Sequence, residues 1–461
     1  MENIILLDFG STHTKVVVVS LKEEKILHTN CFPSTVKIDA RVGLQKCLES
    51  AKTILTEDKF KKAIKLASSS AAGGLRMAVI GLSQSLSIKA GKNTAFGAGG
   101  KILFTLSGKI KPEQIQEFIN KKVEIVLFCG GYENGNETTV LHNAKILSES
   151  NLRIPIIYAG NSSIITSVRG LMQMGRKECF VADNLIPNVG LLNTTMAENI
   201  VREVFLQRIV NMKGLNNVKE ILDGILMPTP SAVLSAGELL TKGTETEAGI
   251  GELLIVDVGG ATTDVHSFAE QISYKGARLS GAKETYSKRT VESDLGVRES
   301  SELILDEIGV EELSKNCNKS IQWVKDAIKY RVTFNDYIPD NKDEKKLDEI
   351  LTEIAVRSSA RRHAGYIEHI HSANCKLLQI GKNITNVKNI IGTGGPIIHS
   401  ENPKKILSYI LKSGEKEENF LLPSESKFYL DESYILYSMG LLREINPNIA
   451  LRILKKELKK L

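Results

Sequence analysis

Two apolar runs, one near the start of the chain and one past its middle, are each followed by an aspartate and a glycine-rich turn. Ile4–Leu7 precedes Asp8, and Leu253–Val256 precedes Asp257. In both places a second β-branched run follows the turn. Strand, tight turn and strand in this order are typical of a β-hairpin, because glycine permits positive φ and a close approach of the backbone. We therefore predict two hairpins, each opening one half of the chain.

The two hairpins form an internal repeat. Residues 4–16 align with residues 253–265 without a gap, and the aspartate, one glycine, one threonine and the final valine coincide. The copies lie too far apart for a solenoid, in which repeats follow one another directly. The repeat therefore predicts two related domains.

The repeated turn is suited to binding phosphate. Consecutive backbone N–H groups in a Gly/Ser/Thr turn form an anion-binding concavity, and small hydroxyl side chains add donors. An aspartate at the end of the first strand can hold hydrated Mg²⁺, which takes one or two protein carboxylates and keeps several waters. Two such hairpins facing each other could clamp a polyphosphate. The alternative is a pair of ordinary β-turns, and the presence of two copies favours the phosphate hypothesis.

Three further segments contain prolines and glycines at positions typical of helix ends and turns. Met227–Leu240 predicts a helix of small residues started by its prolines, and Asp431–Gly440 predicts a second helix that ends at glycine. Asn389–Ile397 predicts a strand that ends in a glycine turn. Small residues on the two helices predict that they approach each other closely, at the floor of an interdomain cleft.

The stretch between the first hairpin and the first of these helices has its own α/β pattern. Ile125–Gly131 and Ile154–Gly160 predict buried parallel strands followed by glycine turns, with a helix over Leu141–Ser150 between them. We expect an extra α/β subdomain here, which could bind a client protein, or else an elaboration of the first lobe. Leu451–Leu461 predicts an amphipathic helix with a basic face, for which docking onto the fold is favoured over membrane association.

Composition excludes several classes of protein. The chain has 461 residues, 42% of them hydrophobic and 25% charged, which is ordinary for a globular protein of several domains. A net charge of +6 is too weak to indicate a nucleic-acid partner, and the apolar runs are too short for a membrane helix. The first residues lack the basic segment and cleavage site of a signal peptide. Scattered cysteines without a CxxC pair indicate reduced thiols, so we expect a cytoplasmic protein.

The ordered set of motifs resembles the sugar kinase/Hsp70/actin superfamily. In chain order, the segments resemble a first phosphate motif, a first connecting helix, a second phosphate motif, an adenosine motif and a second connecting helix: Asp8–Lys15, Met227–Leu240, Asp257–Asp264, Gly392–Pro396 and Asp431–Leu442. The resemblance covers almost the whole chain. It implies an α/β protein with two RNase H-like (actin/Hsp70-like) lobes around an ATP cleft.

Three longer segments are similar to the glutamate mutase accessory family (GlmL, also called MutL), which shares only a name with the mismatch-repair MutL proteins. They are Ser68–Met77, Val256–Ser267 and Lys288–Gly296. This resemblance implies an ATP-dependent chaperone, or reactivating factor, that exchanges damaged cobalamin in an adenosylcobalamin-dependent mutase. Relatives also accompany ornithine and lysine aminomutases, so the class of client is better indicated than the client itself. The chain lacks the D-x-H-x-x-G motif of a cobalamin enzyme.

The resemblance also implies which residues bind ATP and Mg²⁺. Asp8 and Asp257 are the candidate catalytic residues and magnesium ligands. The other candidates bind nucleotide: Ser11, Thr12 and Lys15 at the β- and γ-phosphates, Gly259, Gly260, Thr262 and Thr263 in the opposite phosphate grip, Gly392, Gly394 and Gly395 at adenosine, and Gly10 in the first turn. Lys15 could instead be a solvated strand lysine. Gly392, Gly394 and Gly395 could instead form a plain turn between a strand and a helix.

The residue that activates water is the least defined part of the candidate site. In-line attack on phosphate needs an oriented water and charge stabilisation more than a strong base. Hsp70 carries a glutamate where this chain has Met227. We therefore expect a slow Mg²⁺-dependent ATPase in which Asp257 orients water. The alternatives are an actin-like structural ATPase and a small-molecule kinase of the same superfamily. Sugar kinases usually carry a catalytic aspartate near the second phosphate motif, and none is obvious here unless Asp264 is that residue.

Basic and histidine residues upstream of the adenosine motif have two interpretations. Arg361, Arg362 and His363 fall on a predicted helix, where Hsp70 places basic residues against adenine, but an exposed basic turn is equally consistent. The spacings of His363, His369 and His371 do not share a helix face, which argues against a metal site. No role is assigned to Glu292 in the third family-like segment.

These observations divide the chain into five stretches. We expect 1–60 to start the first lobe with its phosphate hairpin, 61–225 to form the inserted subdomain or first-lobe elaboration, 226–250 to hold the first connecting helix, 251–430 to form the second lobe with the second phosphate and adenosine motifs, and 431–461 to hold the second connecting helix and the C-terminal helix.

Overall fold

The structure is a computed structural model, and it describes residues 2–10, 13–35, 39–70, 75–210, 221–281, 283–370, 376–414 and 417–461. The strands are β1 (Asn3–Phe9), β2 (His13–Ser20), β3 (Lys25–Pro33), β4 (Ile64–Ser69), β5 (Arg76–Gly81), β6 (Lys101–Ser107), β7 (Ile125–Cys129), β8 (Ile156–Ala159), β9 (Cys179–Val181), β10 (Gly224–Pro228), β11 (Leu253–Val258), β12 (Thr263–Phe268), β13 (Ala277–Ser280), β14 (Ser287–Glu292), β15 (Tyr366–His369), β16 (Leu377–Ile380), β17 (Asn389–Thr393), β18 (Lys427–Leu430) and β19 (Lys459–Lys460). The helices are α1 (Ala40–Lys52), α2 (Glu57–Lys62), α3 (Lys89–Gly97), α4 (Pro112–Asn120), α5 (Glu137–Glu149), α6 (Ile165–Met174), α7 (Thr195–Val210), α8 (Thr229–Lys242), α9 (Ser301–Ile308), α10 (Val310–Cys317), α11 (Ile321–Thr333), α12 (Lys342–His363), α13 (Gly395–Ile398), α14 (Pro403–Ser408), α15 (Leu436–Arg443) and α16 (Pro447–Glu457).

The chain divides into two compact units. Unit 1 comprises Met1–Ala236, Gly281–Thr285 and Leu436–Ile453, and unit 2 comprises Gly237–Ser280, Tyr286–Ile435 and Leu454–Leu461. Each unit has its own hydrophobic core, built in unit 1 around β1 and β2 and in unit 2 around β11 and β17. The two units are described separately below.

The first hairpin belongs to a mixed sheet in unit 1. The strand order is β3-β2-β1-β4-β10. Strand β2 runs antiparallel to both β1 and β3, whereas β4 runs parallel to both β1 and β10. Every residue of β1 is buried, because this central strand is covered on both faces.

The second hairpin belongs to an equivalent sheet in unit 2. The order β14-β12-β11-β17-β18 repeats the first sheet strand for strand, with three antiparallel strands followed by two parallel ones. Short β19 extends its edge beside β18. The thirteen-residue sequence repeat is thus part of a larger structural repeat, in which the whole sheet of unit 1 has an equivalent in unit 2. The fold class is confirmed: α/β, with two lobes of RNase H-like strand order.

A separate parallel sheet lies within unit 1, between β4 and β10 along the chain. Its order is β6-β5-β7-β8-β9, and all its pairings are parallel. The two buried parallel strands predicted in this stretch are confirmed as β7 and β8. The helix predicted between them is present as α5, but it begins earlier, at Glu137, because the Asn136 side chain caps its first turn.

The connecting helices differ in detail from their predictions. The prolines do not start the first one together, because Met227 and Pro228 end strand β10 and only Pro230 lies in the first turn of α8. In the second one, Gly440 does not end the helix but lies inside α15. A Cβ at Gly440 would lie 1.9 Å from the Ala232 carbonyl oxygen, so this glycine allows the predicted close approach of the two helices.

The C-terminal prediction needs a similar correction. The amphipathic helix is α16, which begins earlier, at Pro447, and ends at Glu457. Lys459 and Lys460 form β19 and do not continue the helix, because their backbone pairs with Tyr429 and Leu430. Among the described residues, no helix combines the length and the apolar character that crossing a bilayer requires.

Candidate functional site

The first candidate aspartate ends a buried strand in unit 1. Asp8 lies opposite Lys15 on β2 and beside Ser68 on β4. Its side chain is buried, although carboxylates are almost never buried without partners. The pairing of three strands therefore brings a carboxylate, an amine and a hydroxyl to one end of the sheet.

Two hydroxyl groups hold one oxygen of this carboxylate. Thr229 Oγ1, at the start of α8, donates to Asp8 Oδ1 at 2.5 Å, and Ser68 Oγ donates to the same oxygen at 3.1 Å. Burial raises the pKa of Asp8, while Lys15 and the two hydroxyls act in the opposite direction. All hydrogen bonds described for this carboxylate go to Oδ1. The other oxygen, Oδ2, lies on the side of Gly10, since a Cβ added to that glycine would be 3.7 Å from it.

The turns of the two hairpins have the same geometry. Gly10 N–H donates to the His13 carbonyl at 2.9 Å, and Gly259 N–H donates to the equivalent Thr262 carbonyl, also at 2.9 Å. A Cβ would lie 2.5 Å from the acceptor oxygen at Gly10 and 3.1 Å at Gly259. Both glycines have ordinary negative φ. The expected close approach is therefore present in the turns, and the expected positive φ is not. The predicted phosphate ligands Ser11 and Thr12 lie outside the described residues.

Lys15 projects from β2 beside Asp8 and is half-buried. Its ammonium lies 5.9 Å from the centroid of the Tyr437 ring on α15. A cation over an aromatic face is attracted to the ring quadrupole. The lysine is therefore held at the sheet end and is not fully solvated.

The second candidate aspartate ends β11 in unit 2. Asp257 is half-buried and lies next to Thr393 of β17 in the parallel pairing. Gly394, which follows β17, has φ +91° and packs against this strand end. A Cβ at Gly394 would lie 2.7 Å from Asp257 Oδ1 and 2.2 Å from the Val258 carbonyl oxygen. Only glycine fits here, for both conformational and steric reasons.

The other phosphate-grip candidates differ in what their side chains contact. Thr262 Oγ1 donates to Asp264 Oδ2 at 3.2 Å, beside the turn. Thr263 is fully buried and donates to the Leu295 carbonyl at 2.7 Å, so its hydroxyl faces the core. Gly260 accepts a hydrogen bond from the Arg298 N–H at 2.8 Å. Of the two threonines, only Thr262 has its hydroxyl at the turn.

The adenosine-motif glycines also have separate surroundings. Gly392 is buried within β17, and a Cβ there would lie 2.9 Å from both Ile397 and Leu407. Its carbonyl accepts from the Asp431 N–H at 2.9 Å. Gly395 is half-buried and begins the short helix α13, where a Cβ would come 3.4 Å from Tyr434 Oη. Gly392 thus serves packing, while Gly395 lies at the surface of the turn.

The basic residues upstream end helix α12, as predicted, and each is paired. Arg361 contacts Glu417 at 2.7 Å. Arg362 binds Glu292 and Asp294 at 2.9 and 2.8 Å, which gives Glu292 a partner and an environment. Burial raises the pKa of Glu292, and Arg362 opposes that shift.

The histidines near this helix do not share a site. His363 is buried, and its ring nitrogens contact Thr290 Oγ1 at 2.9 Å and Ser267 Oγ at 2.8 Å. His369 is exposed on β15, and His371 lies outside the described residues.

The donor set fits a hydrated magnesium ion. Within the described ranges, no group of three or more His, Cys, Asp or Glu side chains could enclose a metal. Mg²⁺ does not need such a cage, because it is held by one or two carboxylates together with water and substrate phosphates. Asp8 in unit 1, with Oδ2 on the side of the turn, and Asp257 at the equivalent strand end in unit 2 each carry the type of oxygen donor that hydrated Mg²⁺ takes.

Comparison with known proteins places the chain in a family. A family model described as "MutL protein" matches residues 4–458. Protein MutL from Clostridium tetanomorphum is 39% identical over 466 aligned residues, which cover all of both chains. This chain belongs to the MutL family. Both the duplicated hairpin and the third family-like segment lie within the matched region.

Solved structures resemble this MutL-family chain only distantly. The structure of a carbohydrate kinase from Novosphingobium aromaticivorans aligns with 97% of this chain and 92% of the kinase chain, with 11% sequence identity and a TM-score of 0.32. The structure of the xylulose kinase from Bifidobacterium adolescentis aligns with 100% of this chain and 95% of the kinase chain, with 11% sequence identity and a TM-score of 0.31. Likeness at this level says nothing about function.

Sequence reasoning did not find two residues of the Asp8 cluster. Ser68 was noted only as part of a family-like segment, and Thr229 only as part of a helix start. Their contact with Asp8 depends on the parallel pairing of β4 with β1 and with β10, which joins residues far apart in the chain. The one available signal was a hydroxyl residue where an apolar strand ends.

Proposed function

We propose that this chain is an ATP-dependent reactivating factor for an adenosylcobalamin-dependent mutase in the cytoplasm. Glutamate mutase is the proposed client, and the ornithine and lysine aminomutases are the alternative clients. Binding and slow hydrolysis of Mg·ATP would change the affinity for the client, so that damaged cobalamin leaves and intact cofactor enters.

The observation that carries this proposal is the equivalence of the two hairpins. Asp8 and Asp257 occupy matching positions on matching strands, and each is followed by the same glycine turn. Clustered N–H donors and a strand-end carboxylate suit a magnesium-bound phosphate. Membership of the MutL family, together with the resemblance to glutamate mutase accessory proteins, supports the choice of client class.

The chain's own residues have distinct tasks in this proposal. Magnesium, when bound, neutralises phosphate charge. Asp8 and Asp257 would each bind magnesium through its water molecules, and Lys15 would add a positive charge beside Asp8. Hydrolysis converts ATP and water to ADP and phosphate. Met227, which cannot act as a base, stands where Hsp70 carries a glutamate, so Asp257 would orient the attacking water and slow turnover is expected.

The kinase alternative gains no support from Asp264. Its Oδ1 accepts from Arg289 Nε at 2.7 Å, and its Oδ2 accepts from Thr262. A catalytic aspartate of a kinase must accept a proton from the substrate hydroxyl. A carboxylate engaged by a guanidinium on one oxygen and a hydroxyl on the other is a structural ion-pair partner.

A reactivation assay tests the proposal. Glutamate mutase is inactivated by turnover, then incubated with the full chain, ATP, Mg²⁺ and fresh adenosylcobalamin, and its activity is followed. We expect recovery that requires both ATP and the chain. The aminomutases are assayed in parallel with their own substrates.

Two variants and one control sharpen that assay. Asp8→Ala and Asp257→Ala should each abolish recovery and weaken Mg·ATP binding at least about tenfold, since each removes a magnesium-water ligand. Asp306→Asn, an exposed carboxylate on α9, should behave as the unaltered chain. No recovery of any of the three mutases would refute the proposed function, and phosphate transfer to an added metabolite would favour a kinase.

A further inference from the structure

The separate parallel sheet of unit 1 is a doubly wound α/β arrangement. Its order β6-β5-β7-β8-β9 reads 2-1-3-4-5 when the strands are numbered along the chain, and a helix follows each strand. Helices α3 and α7 pack on one face of the sheet, and α4, α5 and α6 pack on the other. Sheets of this kind bind their ligands outside the carboxyl ends of the strands. A ligand site in this part of unit 1 is therefore expected at that edge.

A pocket with a volume of about 380 Å³ lies at this edge. It is lined by the segments that follow β7, β8 and β9, and by the first turns of α6 and α7. Small-molecule sites have volumes of about 300–1,000 Å³, so this pocket suits a small ligand. Its lining residues lie between positions 133 and 196, which separates it from both hairpins.

Three charged side chains line the pocket, and none of them takes part in an ion pair within the part of the chain that the structure describes: Glu133, Arg169 and Asp183. Arg169 and Asp183 are exposed. The loops that follow β7, β8 and β9 contain no lysine or arginine. Glu137, which accepts from Ser163 Oγ at 2.9 Å, adds a further negative charge beside the loop after β8. The lining therefore favours a ligand with more positive than negative charge.

Glu133 is fixed in place as an ionised carboxylate. Its Oε2 accepts from the Ser162 N–H at 2.8 Å and from Ser162 Oγ at 2.7 Å, and its Oε1 accepts from Asn184 Nδ2 at 2.8 Å. Asn184 is buried and also donates to the Gly131 carbonyl at 2.9 Å, so the three strand-end loops are tied together. Although burial acts in the opposite direction, these hydrogen bonds lower the pKa of Glu133. A positioned carboxylate without a cationic partner is suited to binding an ammonium group.

The pocket also has an apolar part, formed by four side chains: Ile165, Val181, Pro187 and Met196. Ile165 and Arg169 are four residues apart on α6 and therefore lie on the same face of the helix. An alkyl chain can pack against apolar side chains while its charged ends remain at polar groups. The two carboxylates, the guanidinium group and the apolar lining together match a ligand with two ammonium groups, one carboxylate and an alkyl chain.

We propose that this pocket binds a free basic amino acid, in which an alkyl chain separates the second ammonium group from the α-ammonium and α-carboxylate groups. Glu133 and Asp183 bind the two ammonium groups, and Arg169 binds the carboxylate. Occupation of the pocket requires neither Mg·ATP nor a mutase client, so this site and the proposed function are tested separately.

Calorimetric titration of the full chain with L-lysine tests this site. Three further ligands each change one feature: 1,5-diaminopentane lacks the carboxylate, L-norleucine lacks the second ammonium group, and L-glutamate carries a second carboxylate in place of that ammonium group. The variants are Glu133→Gln, Asp183→Asn and Arg169→Gln. Glu178→Gln is the matched control, because Glu178 is an exposed carboxylate directly before β9, at the opposite edge of the same sheet. Thermal unfolding verifies that each variant is folded.

We expect L-lysine to bind the unaltered chain more tightly than L-norleucine or L-glutamate. Glu133→Gln and Asp183→Asn should each weaken binding of both L-lysine and 1,5-diaminopentane at least about fivefold, since each removes a charged hydrogen-bond acceptor. Arg169→Gln should weaken only L-lysine, because the diamine has no carboxylate, and a general disturbance of the fold would affect both ligands. Glu178→Gln should change neither affinity.

Three results would overturn the amino-acid site: no binding of L-lysine by the unaltered chain, binding of L-glutamate as tight as that of L-lysine, or equal losses in Glu178→Gln and in the pocket variants. If Glu133→Gln does not fold, the variants at the two exposed positions, Asp183→Asn and Arg169→Gln, decide the outcome.

Discussion

Thr229 Oγ1 donates a hydrogen bond to Asp8 Oδ1, and this bond joins the start of helix α8 to the end of strand β1. The two residues lie 221 positions apart in the chain. Ser68 donates to the same oxygen. Because both hydroxyls act on Oδ1, the carboxylate is held in one orientation with its other oxygen on the side of the Gly10 turn.

Replacement of Thr229 separates positioning from simple packing. Thr229→Val keeps the shape and removes the donor, and Thr229→Ser keeps the donor. A hydrogen bond to a charged group contributes about 1.5–3 kcal/mol. We therefore expect Thr229→Val to weaken nucleotide binding about tenfold in the presence of Mg²⁺ and little in EDTA, with Thr229→Ser close to the unaltered chain. Titration with a fluorescent ATP analogue measures this. An equal loss with and without Mg²⁺ would contradict the positioning role.

Asp8 should lower the stability of the ligand-free protein. Burial raises its pKa in the fold, despite Lys15 and the two hydroxyls, so the folded protein binds this proton more tightly than the unfolded chain. The contribution of Asp8 to the unfolding free energy therefore falls as the pH rises from the ordinary aspartate range towards neutrality. Asp8→Asn should raise the unfolding free energy by about 1 kcal/mol at pH 7 while weakening Mg·ATP binding.

Urea unfolding of Asp8→Asn at pH 7 and near pH 4 checks the sign. The stabilisation should shrink at the lower pH, where the carboxylate of the unaltered chain becomes protonated in the fold. A variant that is less stable than the unaltered chain at pH 7 would show that the charge itself holds the fold together.

Two of the glycines with positive φ in unit 2 allow steric and conformational effects to be separated. Gly394 has φ 91° and ψ 143°, and Gly309 has φ 86° and ψ 143°. A Cβ at Gly394 would meet the Val258 carbonyl and Asp257, whereas at Gly309 it would meet only Glu311 Oε2, at 3.9 Å. Gly309→Ala should cost about 1–3 kcal/mol of unfolding free energy for the backbone conformation alone. Gly394→Ala should cost at least about 2 kcal/mol more. Equal losses would mean that the turn moves away from β11.

The sequence was sufficient for local features and for the repeat. The hairpins, the buried strands β7 and β8 and the glycine turn after β17 follow from apolar runs and turn residues, which act over a few positions. The pairing of β4 with β1 does not follow from such local patterns, because long-range packing selects the partner of a parallel strand. For that reason Ser68 and Thr229 were missed. The buried Thr263 hydroxyl and the tight packing at Gly392 were not foreseen either, and the roles of both residues in nucleotide binding stay predictions.

Two buried histidines should make unit 2 sensitive to mild acid. Burial, with Arg289 adding to it, lowers the pKa of His266 to about 3, and burial lowers that of His363 well below its usual range. The unfolded chain takes up these protons near pH 6.5, and the fold does not, so stability is lost as the pH falls below that value. The slope should reach about 1.4 kcal/mol per pH unit for each histidine.

Urea midpoints between pH 7 and pH 5 measure this slope, because few carboxylates titrate in that window. His266→Gln should remove one histidine's share of the slope. His369→Gln, at an exposed position on β15, should leave it unchanged. A slope that is the same in all three proteins would exclude His266 as its source.

Equivalent threonines of the repeat should respond in opposite ways to the same substitution. Thr14 and Thr263 occupy matching positions, and both are fully buried. Thr263 Oγ1 donates to the Leu295 carbonyl at 2.7 Å, whereas Thr14 Oγ1 has no hydrogen-bond partner within the described ranges. Leaving a buried polar group unsatisfied costs about 1–3 kcal/mol. Thr263→Val should therefore lower the unfolding free energy by about 1–2 kcal/mol, and Thr14→Val should leave it unchanged or raise it by up to about 1 kcal/mol. Urea unfolding of the two variants tests this, and a comparable loss in both would mean that the Thr14 hydroxyl is bonded in solution.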